Sequence, residues 1–360
     1  MTTKKTILHV IDYMGRGGAE VMLVRLLKEL TEYHHIVVTL NAKASFDKSE
    51  INCDEYFCLQ MGSFAKFPLA ALKLRKFIKQ RNIDLVHTHL YSATMVARLA
   101  TPKSIPLITT IHTNVNASDD YKKKWLIALE KFTYKLHKSI IIGVSQSALE
   151  GYYKFYNHTP YKKYLLYTFV DIDAIKKVKT SYEVKPNEPF KLLTIGAIRY
   201  PKNQEYLVDA FKKLKDENIV LHICGTGARH QIVKQLIDEG GVNIELKGEV
   251  QNAAALMADY DVYVMPSFFE GFSLSVLEAM AMQIPMMLSD IPSFNEQCEK
   301  TVVYFDLNNV DDFITKLKWL RDNQQERENL AKMAKARVMK QYTLQHHLQQ
   351  LRNIYQENIG

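Results

Sequence analysis

Short apolar runs of about six residues, rich in Ile, Val and Leu, alternate along this chain with longer stretches of helical spacing. In the first half the runs fall at 6–11, 35–40, 55–60, 85–90, 106–112 and 139–145; in the second, at 191–197, 219–225, 244–248, 262–267, 285–290 and 301–307. A strand with one wet face would alternate polar and apolar residues. Unbroken apolar strands joined by helices therefore predict parallel sheets covered on both faces. A polar, lysine-rich stretch with two prolines interrupts the pattern at 176–190. The pattern predicts an α/β chain of two doubly wound, Rossmann-like domains, residues 1–175 and 191–341, with 176–190 as linker and helices at 325–341 and 344–358 closing the chain. Two such sheets in series are expected to leave a cleft, with ligands at the carboxyl ends of the strands.

Composition adds an asymmetry. The chain has 360 residues, 47% of them hydrophobic, enough for two cores, and a net charge of +8. Residues 1–180 carry 27 Lys and Arg against 15 Asp and Glu, whereas the remainder carries 20 against 24. The basic excess thus lies wholly in the first half, where it would favour phosphorylated substrates or an anionic membrane surface. Two segments, 64–79 and 122–138, combine lysines with aromatics as amphipathic helices. Each fits a membrane-surface helix, and each equally fits an ordinary helix with a solvated face. The Tyr- and Lys-dense stretch 152–167 favours a membrane or lipid-linked partner. No nucleic-acid module is apparent. Cys53, Cys58, Cys224 and Cys298 show neither metal-ligand spacing nor a disulfide framework, as expected in a reducing cytoplasm. The N-terminus lacks a signal peptide's apolar region, and no apolar stretch approaches a membrane span. The expected location is the cytoplasm, including the inner face of the cell membrane.

Candidate chemistry gathers near the C-terminus. Asp261-Val-Tyr-Val-Met-Pro-Ser267 runs into Phe-Phe-Glu270-Gly-Phe-Ser-Leu-Ser-Val-Leu-Glu278. One carboxylate falls in the loop and another early in the following helix, beside backbone N–H groups that favour an anion. Carboxylates accept hydrogen bonds from sugar hydroxyls, and Gly271 allows close backbone approach. The competing reading is a helix capping box, Ser275-Val-Leu-Glu278. The first strand exits through Asp12-Tyr-Met-Gly15-Arg-Gly17-Gly18-Ala-Glu20, where glycines could cradle a phosphate or simply make a tight turn. At Gly196-Ala-Ile-Arg199-Tyr-Pro-Lys202-Asn203, two cations follow a strand and could neutralise a diphosphate, or stand as surface charges. His87 and His89 fit a hydrogen-bonded core or rim, and His346 and His347 a structural role.

Together these residues resemble the retaining GT-B glycosyltransferases of family GT4. The resemblance runs through Gly17-Gly18-Ala-Glu20, Leu85-Val-His87-Thr-His89, Thr110-Ile-His112, Val144-Ser145, 196–203, Cys224-Gly-Thr-Gly227, Lys247-Gly-Glu-Val250 and 266–278. It implies a second domain that holds a nucleotide-sugar and a last helix, within 342–360, that crosses back to the first domain. Glu278 would bind ribose hydroxyls. Glu270 and the backbone of Gly271, Phe272, Ser273 and Leu274 would hold the donor sugar. Lys202 and Arg199 would bind the diphosphate, with Gly17, Gly18, Gly196 and Gly225 beside it. Gly248, Glu249 and Val250 would meet the base, and His112 the transferred sugar. Family members often carry arginine directly after the glycine where this chain has Ala197, so the Arg199 assignment is the looser one.

The implied function is transfer of a sugar from a nucleotide diphosphate donor, a UDP-sugar, to a lipid-linked or growing glycan acceptor in polysaccharide or glycoconjugate biosynthesis. No cofactor and no metal are expected, since Lys202, Arg199 and a helix terminus can neutralise the diphosphate and no Asp-x-Asp motif is present. Alternatives are a nucleotide-sugar epimerase, a sugar-phosphate acceptor transferase, or a non-catalytic glycan- or nucleotide-binding protein.

Overall fold

The computed structural model describes residues 4–115, 122–185, 187–216, 218–250 and 252–359. Most of the segment 114–124 lies outside the described residues. The chain forms two compact units, Met1–Thr168 with Gln345–Gly360, and Phe169–Leu344.

In the first unit, strands β1 (Thr6–Ile11), β2 (His34–Thr39), β3 (Glu55–Cys58), β4 (Leu85–His89), β5 (Leu107–Ile111), β6 (Ile140–Gly143) and β7 (Lys163–Leu165) form one sheet in the order β3-β2-β1-β4-β5-β6-β7. Every pairing is parallel. Helices α1 (Gly18–Glu29), α2 (Phe67–Lys79), α3 (Tyr91–Ala100), α4 (Lys124–Leu136) and α5 (Gln146–Tyr156) make the crossovers. Leu8, Val10, Ile36 and Val86 on one sheet face pack with Ala70, Leu74 and Phe77 of α2 and Val96 of α3. Strand order reverses direction between β1 and β4, the switch point at which such sheets leave a crevice.

Strand β7 is not evident in the sequence, because its three residues, one exposed and two half-buried, form a sheet edge with no apolar run. Its neighbourhood corrects a second expectation. Tyr152 and Tyr156 in the Tyr- and Lys-dense stretch are buried in the core rather than offered to a membrane. Tyr152 donates to Glu130, which also forms an ion pair of 2.6 Å with Arg98. A buried charge pair requires such extra hydrogen bonds, which explains a tyrosine at 152 where an apolar side chain would otherwise fit.

The second unit holds β8 (Phe190–Ile195), β9 (Ile219–Cys224), β10 (Ile244–Gly248), β11 (Val262–Met265), β12 (Met286–Ser289) and β13 (Val303–Phe305), again all parallel, in the order β10-β9-β8-β11-β12-β13. Helices α6 (Gln204–Leu214), α7 (His230–Gly240), α8 (Leu274–Ala281), α9 (Pro292–Cys298), α10 (Val310–Asp322) and α11 (Gln324–Gln341) surround it. Here the switch point lies between β8 and β11. Residues 176–190 are not a free linker. Lys179 donates to the Tyr260 carbonyl at 2.8 Å and Tyr182 to that of Gln283 at 2.9 Å, so the stretch packs on the second unit and the change of unit comes earlier, after Thr168.

The last helix, α12 (Leu344–Asn358), belongs to the first unit from Gln345 onward. Tyr355 Oη lies 2.7 Å from His87 Nδ1, Arg352 reaches Glu32 at 2.6 Å, and His347 bonds the Tyr167 carbonyl at 2.7 Å. Among the described residues no helix is long and apolar enough to cross a membrane.

Candidate functional site

The chain exits of β8 and β11, the two strands flanking the second unit's switch point, carry the charged residues singled out above. After β8 a single turn of 3-10 helix, Tyr200–Lys202, aims Lys202 back over Gly196. A Cβ on Gly196 would only touch Lys202 Cε, at 3.5 Å, so it is the backbone φ of +152° that calls for glycine there. After β11, Glu270 meets it. Lys202 Nζ and Glu270 Oε1 are 2.7 Å apart, each side chain only 13% exposed. Ser267 donates to the same oxygen at 2.7 Å, and its own carbonyl accepts from Ser289 Oγ at 2.6 Å. The Phe268 N–H bonds to the Pro201 carbonyl at 2.9 Å, fastening one loop to the other.

Three predicted glycines also converge. The Gly196 N–H bonds to Cys224 O at 3.0 Å and the Gly225 N–H to Gly248 O at 2.6 Å, so the exits of β8, β9 and β10 line up as bare backbone. Gly225 has φ +140°, and a Cβ there would sit 2.0 Å from Gly196 O. No other residue fits that position. Glu249 is exposed and Val250 half-buried just beyond.

Helix α8 starts at Leu274 with Ser273 as N-cap, whose side chain makes no capping bond. The capping-box alternative is thereby excluded. Ser275 lies inside the helix, and its hydroxyl pairs with Tyr263 Oη at 2.8 Å and Ser273 Oγ at 3.2 Å. The first-turn N–H groups of Leu274 and Ser275 thus have no partner within the helix. Gln297 of α9 fixes the cap itself, accepting from the Ser273 N–H at 3.1 Å and donating to its carbonyl at 2.8 Å. Gly271 is buried in the preceding turn, and Phe272 is buried with its ring edge-on to Tyr342 at 5.1 Å. Its side chain is packing, so the Phe272 position offers a ligand backbone rather than an aromatic face.

Glu278 stands apart. Its carboxylate has no hydrogen bond or ion pair among the described residues, and burial pushes its pKa up to about 7. Desolvation without compensation is the pattern of a group awaiting a donor-rich ligand.

Other predicted residues are placed less favourably. Arg199 is exposed, without an ion pair among the described residues, and does not join Lys202 and Glu270. Gly17 caps α1 and Gly18 opens it, but a Cβ on Gly17 would lie 2.6 Å from Glu20 Oε2. A buried carboxylate therefore occupies the spot read as a phosphate cradle. His112, just past β5, lies 3.2 Å through Nε2 from His89 Nδ1, and burial, then His347, lowers its pKa to about 4. It is a neutral imidazole at physiological pH. Sequence reasoning missed Ser267, Ser275, Tyr263 and Gln297 as supports. Only Ser267 had a signal, its place in the motif before Glu270.

Comparison with known proteins identifies the family and the fold. Residues 16–174 match Glycosyltransferase Family 4, and residues 176–337 match Glycosyl transferases group 1. The N-acetylgalactosamine-N,N'-diacetylbacillosaminyl-diphospho-undecaprenol 4-alpha-N-acetylgalactosaminyltransferase of Campylobacter jejuni is 26% identical over 77% of this chain and 78% of its own length. A capsular polysaccharide biosynthesis glycosyltransferase, CapH of Staphylococcus aureus, is 26% identical over 76% and 78%. The fold matches the crystal structure of Anabaena Alr3699/HepE in complex with UDP and glucose, with a TM-score of 0.83 at 17% identity, over 98% of this chain and 100% of that one.

Proposed function

With one half in each of these two families, the chain belongs to the family 4 glycosyltransferases, and we propose that it is a retaining, metal-independent enzyme that moves a sugar from a UDP-sugar to a lipid-linked or growing glycan acceptor. The observation that carries this reading is the pairing, at one switch point, of a Lys202–Glu270 couple with a half-buried, desolvated Glu278 that has no partner among the described residues.

In this reading Glu278 accepts hydrogen bonds from the ribose hydroxyls, which restore the solvation it lost on folding. The bare backbone at Gly196, Gly225 and 248–250 admits the nucleotide. The diphosphate takes the free N–H groups at the start of α8 together with Lys202, joined from the periphery by Arg199. Glu270 and the backbone of 271–273 hold the sugar. The acceptor oxygen forms its bond to the anomeric carbon on the face from which the diphosphate departs. The carbon–phosphate-oxygen bond breaks, and the acceptor's proton passes to the departing oxygen. The configuration is kept without a general base, and the protein's task is to orient the hydroxyl and stabilise charge on the leaving group.

The relatives act on a diphospho-undecaprenol-linked sugar or in capsule synthesis, which supports the acceptor class. Such an acceptor lies at a membrane, and the first unit carries a fitting surface. Phe64, Leu69 and Leu72 at α2 and Trp125 and Phe132 on α4 are 40–65% exposed among lysines, and the Phe64 and Trp125 rings meet at 5.2 Å. We assign this patch to peripheral contact with an anionic bilayer. Co-sedimentation with phosphatidylglycerol vesicles, lost on Leu72→Glu and absent with phosphatidylcholine, tests it.

The donor is tested by thermal shift with UDP, GDP and ADP, since a nucleotide at 100 times its Kd adds about 2.7 kcal/mol. A shift with UDP alone is expected. A shift with GDP or ADP instead moves the enzyme to another donor class, and none with any of the three removes the transferase reading.

A further inference from the structure

The first unit buries a line of imidazoles with no part in donor binding. His9 on β1 and His87 on β4 are register partners, and His89 projects from the same sheet face two residues on. All three are at most 3% exposed. The hydrogen bonds fix the protons. His35 Nε2 lies 2.8 Å from the Leu30 carbonyl, which can only accept, so that nitrogen carries the hydrogen and Nδ1 of the neutral ring is a lone pair. His9 Nε2, 3.2 Å from that lone pair, must donate to it. His9 Nδ1 is then a bare lone pair, buried and without a hydrogen-bond partner among the described residues. His89 Nε2 is likewise buried without one among them, while its Nδ1 engages His112. Two unpartnered imidazole nitrogens in a dry core are costly unless something sits between them.

We propose that His9, His87 and His89 bind one divalent transition-metal ion of the imidazole-preferring class, Zn2+ above all. One ligand nitrogen from each lies within 4.8 Å of the others. A tetrahedral site with Zn–N near 2.05 Å needs about 3.4 Å between nitrogens, so small ring rotations close the site. His87 now bonds Tyr355 Oη and Thr110 Oγ1, each at 2.7 Å, and gives up one hydroxyl to ligate. The His9-to-His35-to-carbonyl chain is the outer hydrogen bonding that orients a metal-bound imidazole. With no carboxylate or thiolate in the set, hard ions such as Mg2+ and Ca2+ are disfavoured. The ion would tie β1 to β4, and a water would complete its coordination.

The test uses the untagged full chain, stripped with chelator and titrated with Co2+. One equivalent should give the intense visible bands of a four- or five-coordinate cobalt site, displaced by Zn2+, with a rise in Tm. The double variant His9→Gln, His89→Gln should lose the bands, and His346→Gln, exposed on α12, should keep them. Because the double variant could misfold, His89→Cys provides a second readout: a thiolate-to-cobalt charge-transfer band in the near ultraviolet that the parent lacks. No bands, only weak bands of octahedral cobalt, bands that survive in the double variant, or no charge-transfer band in His89→Cys would overturn the site and leave a bridging water between the two nitrogens.

Discussion

Glu130 and Glu278 are both carboxylates on helices, Glu130 buried and Glu278 half-buried, and their protons behave oppositely. Burial pushes Glu130 up, but Arg98, His158 with its Nε2 3.6 Å away, and Tyr152 together more than reverse it, and its pKa falls to about 2. Burial acts on Glu278 alone and takes it to about 7. In the first unit the chain supplies every partner that the carboxylate needs; in the second it supplies none among the described residues. A buried acid with its partners built in serves the fold, whereas a desolvated one without them reserves its hydrogen bonds for something that arrives later.

The contrast breaks most sharply at Glu130. Glu130→Ala leaves Arg98 buried and unpaired, so urea unfolding should show a loss of about 3–5 kcal/mol, with donor affinity unchanged in whatever folds. A loss under 1 kcal/mol would mean that the pair is better solvated than its burial indicates. Next comes Lys202→Met. Removing a charge from the departing diphosphate should lower kcat by about 100- to 1,000-fold, while circular dichroism stays native. Unchanged turnover would remove Lys202 from the chemistry.

Glu278→Gln should weaken UDP-sugar binding about 10- to 100-fold, the worth of hydrogen bonds to a charged group. Its pH dependence sharpens the comparison. The ordinary value is 4.5 and the folded value about 7, so between them the folded chain holds a proton that the unfolded chain has released. Stability therefore falls as pH rises through this window, by up to about 3 kcal/mol, and the Tm of the Gln variant should gain on the parent from pH 5 to pH 8. Glu130 runs the other way, its contribution present above pH 4.5 and lost as pH falls towards 2. A Tm difference independent of pH would show that Glu278 is ordinarily solvated. The smallest effect belongs to Gln297→Ala. Loss of two neutral hydrogen bonds to the cap of α8 should raise KM for the donor a few-fold at about 1 kcal/mol, and an unchanged KM would make the contact incidental.

The strands of both sheets were legible because Ile, Val and Leu run unbroken where both faces are covered. Lys163-Tyr-Leu165 was not, since an edge strand needs no such run. Lys202 and Glu270 were legible as motif residues, but their ion pair was not, because it depends on two strand exits 60-odd residues apart being neighbours across the switch point. Gln297 left no trace, as an amide on a short helix resembles any surface residue. The tyrosines at 152 and 156 misled for a related reason. Beside lysines they look like an interfacial belt, and only the burial of Arg98 and Glu130 shows what the Tyr152 hydroxyl is for.

The return of α12 bears on how the chain is made. The sheet that holds His87 is complete once Leu165 has been synthesised, yet the Tyr355 that bonds His87, and packs edge-on against Tyr33 at 5.6 Å, follows only after the whole second unit. At roughly 5–20 residues per second, the nascent first unit waits on the order of ten to forty seconds with that face uncovered. Such an interval gives a chaperone, or a metal ion, time to reach histidines that the finished protein seals away.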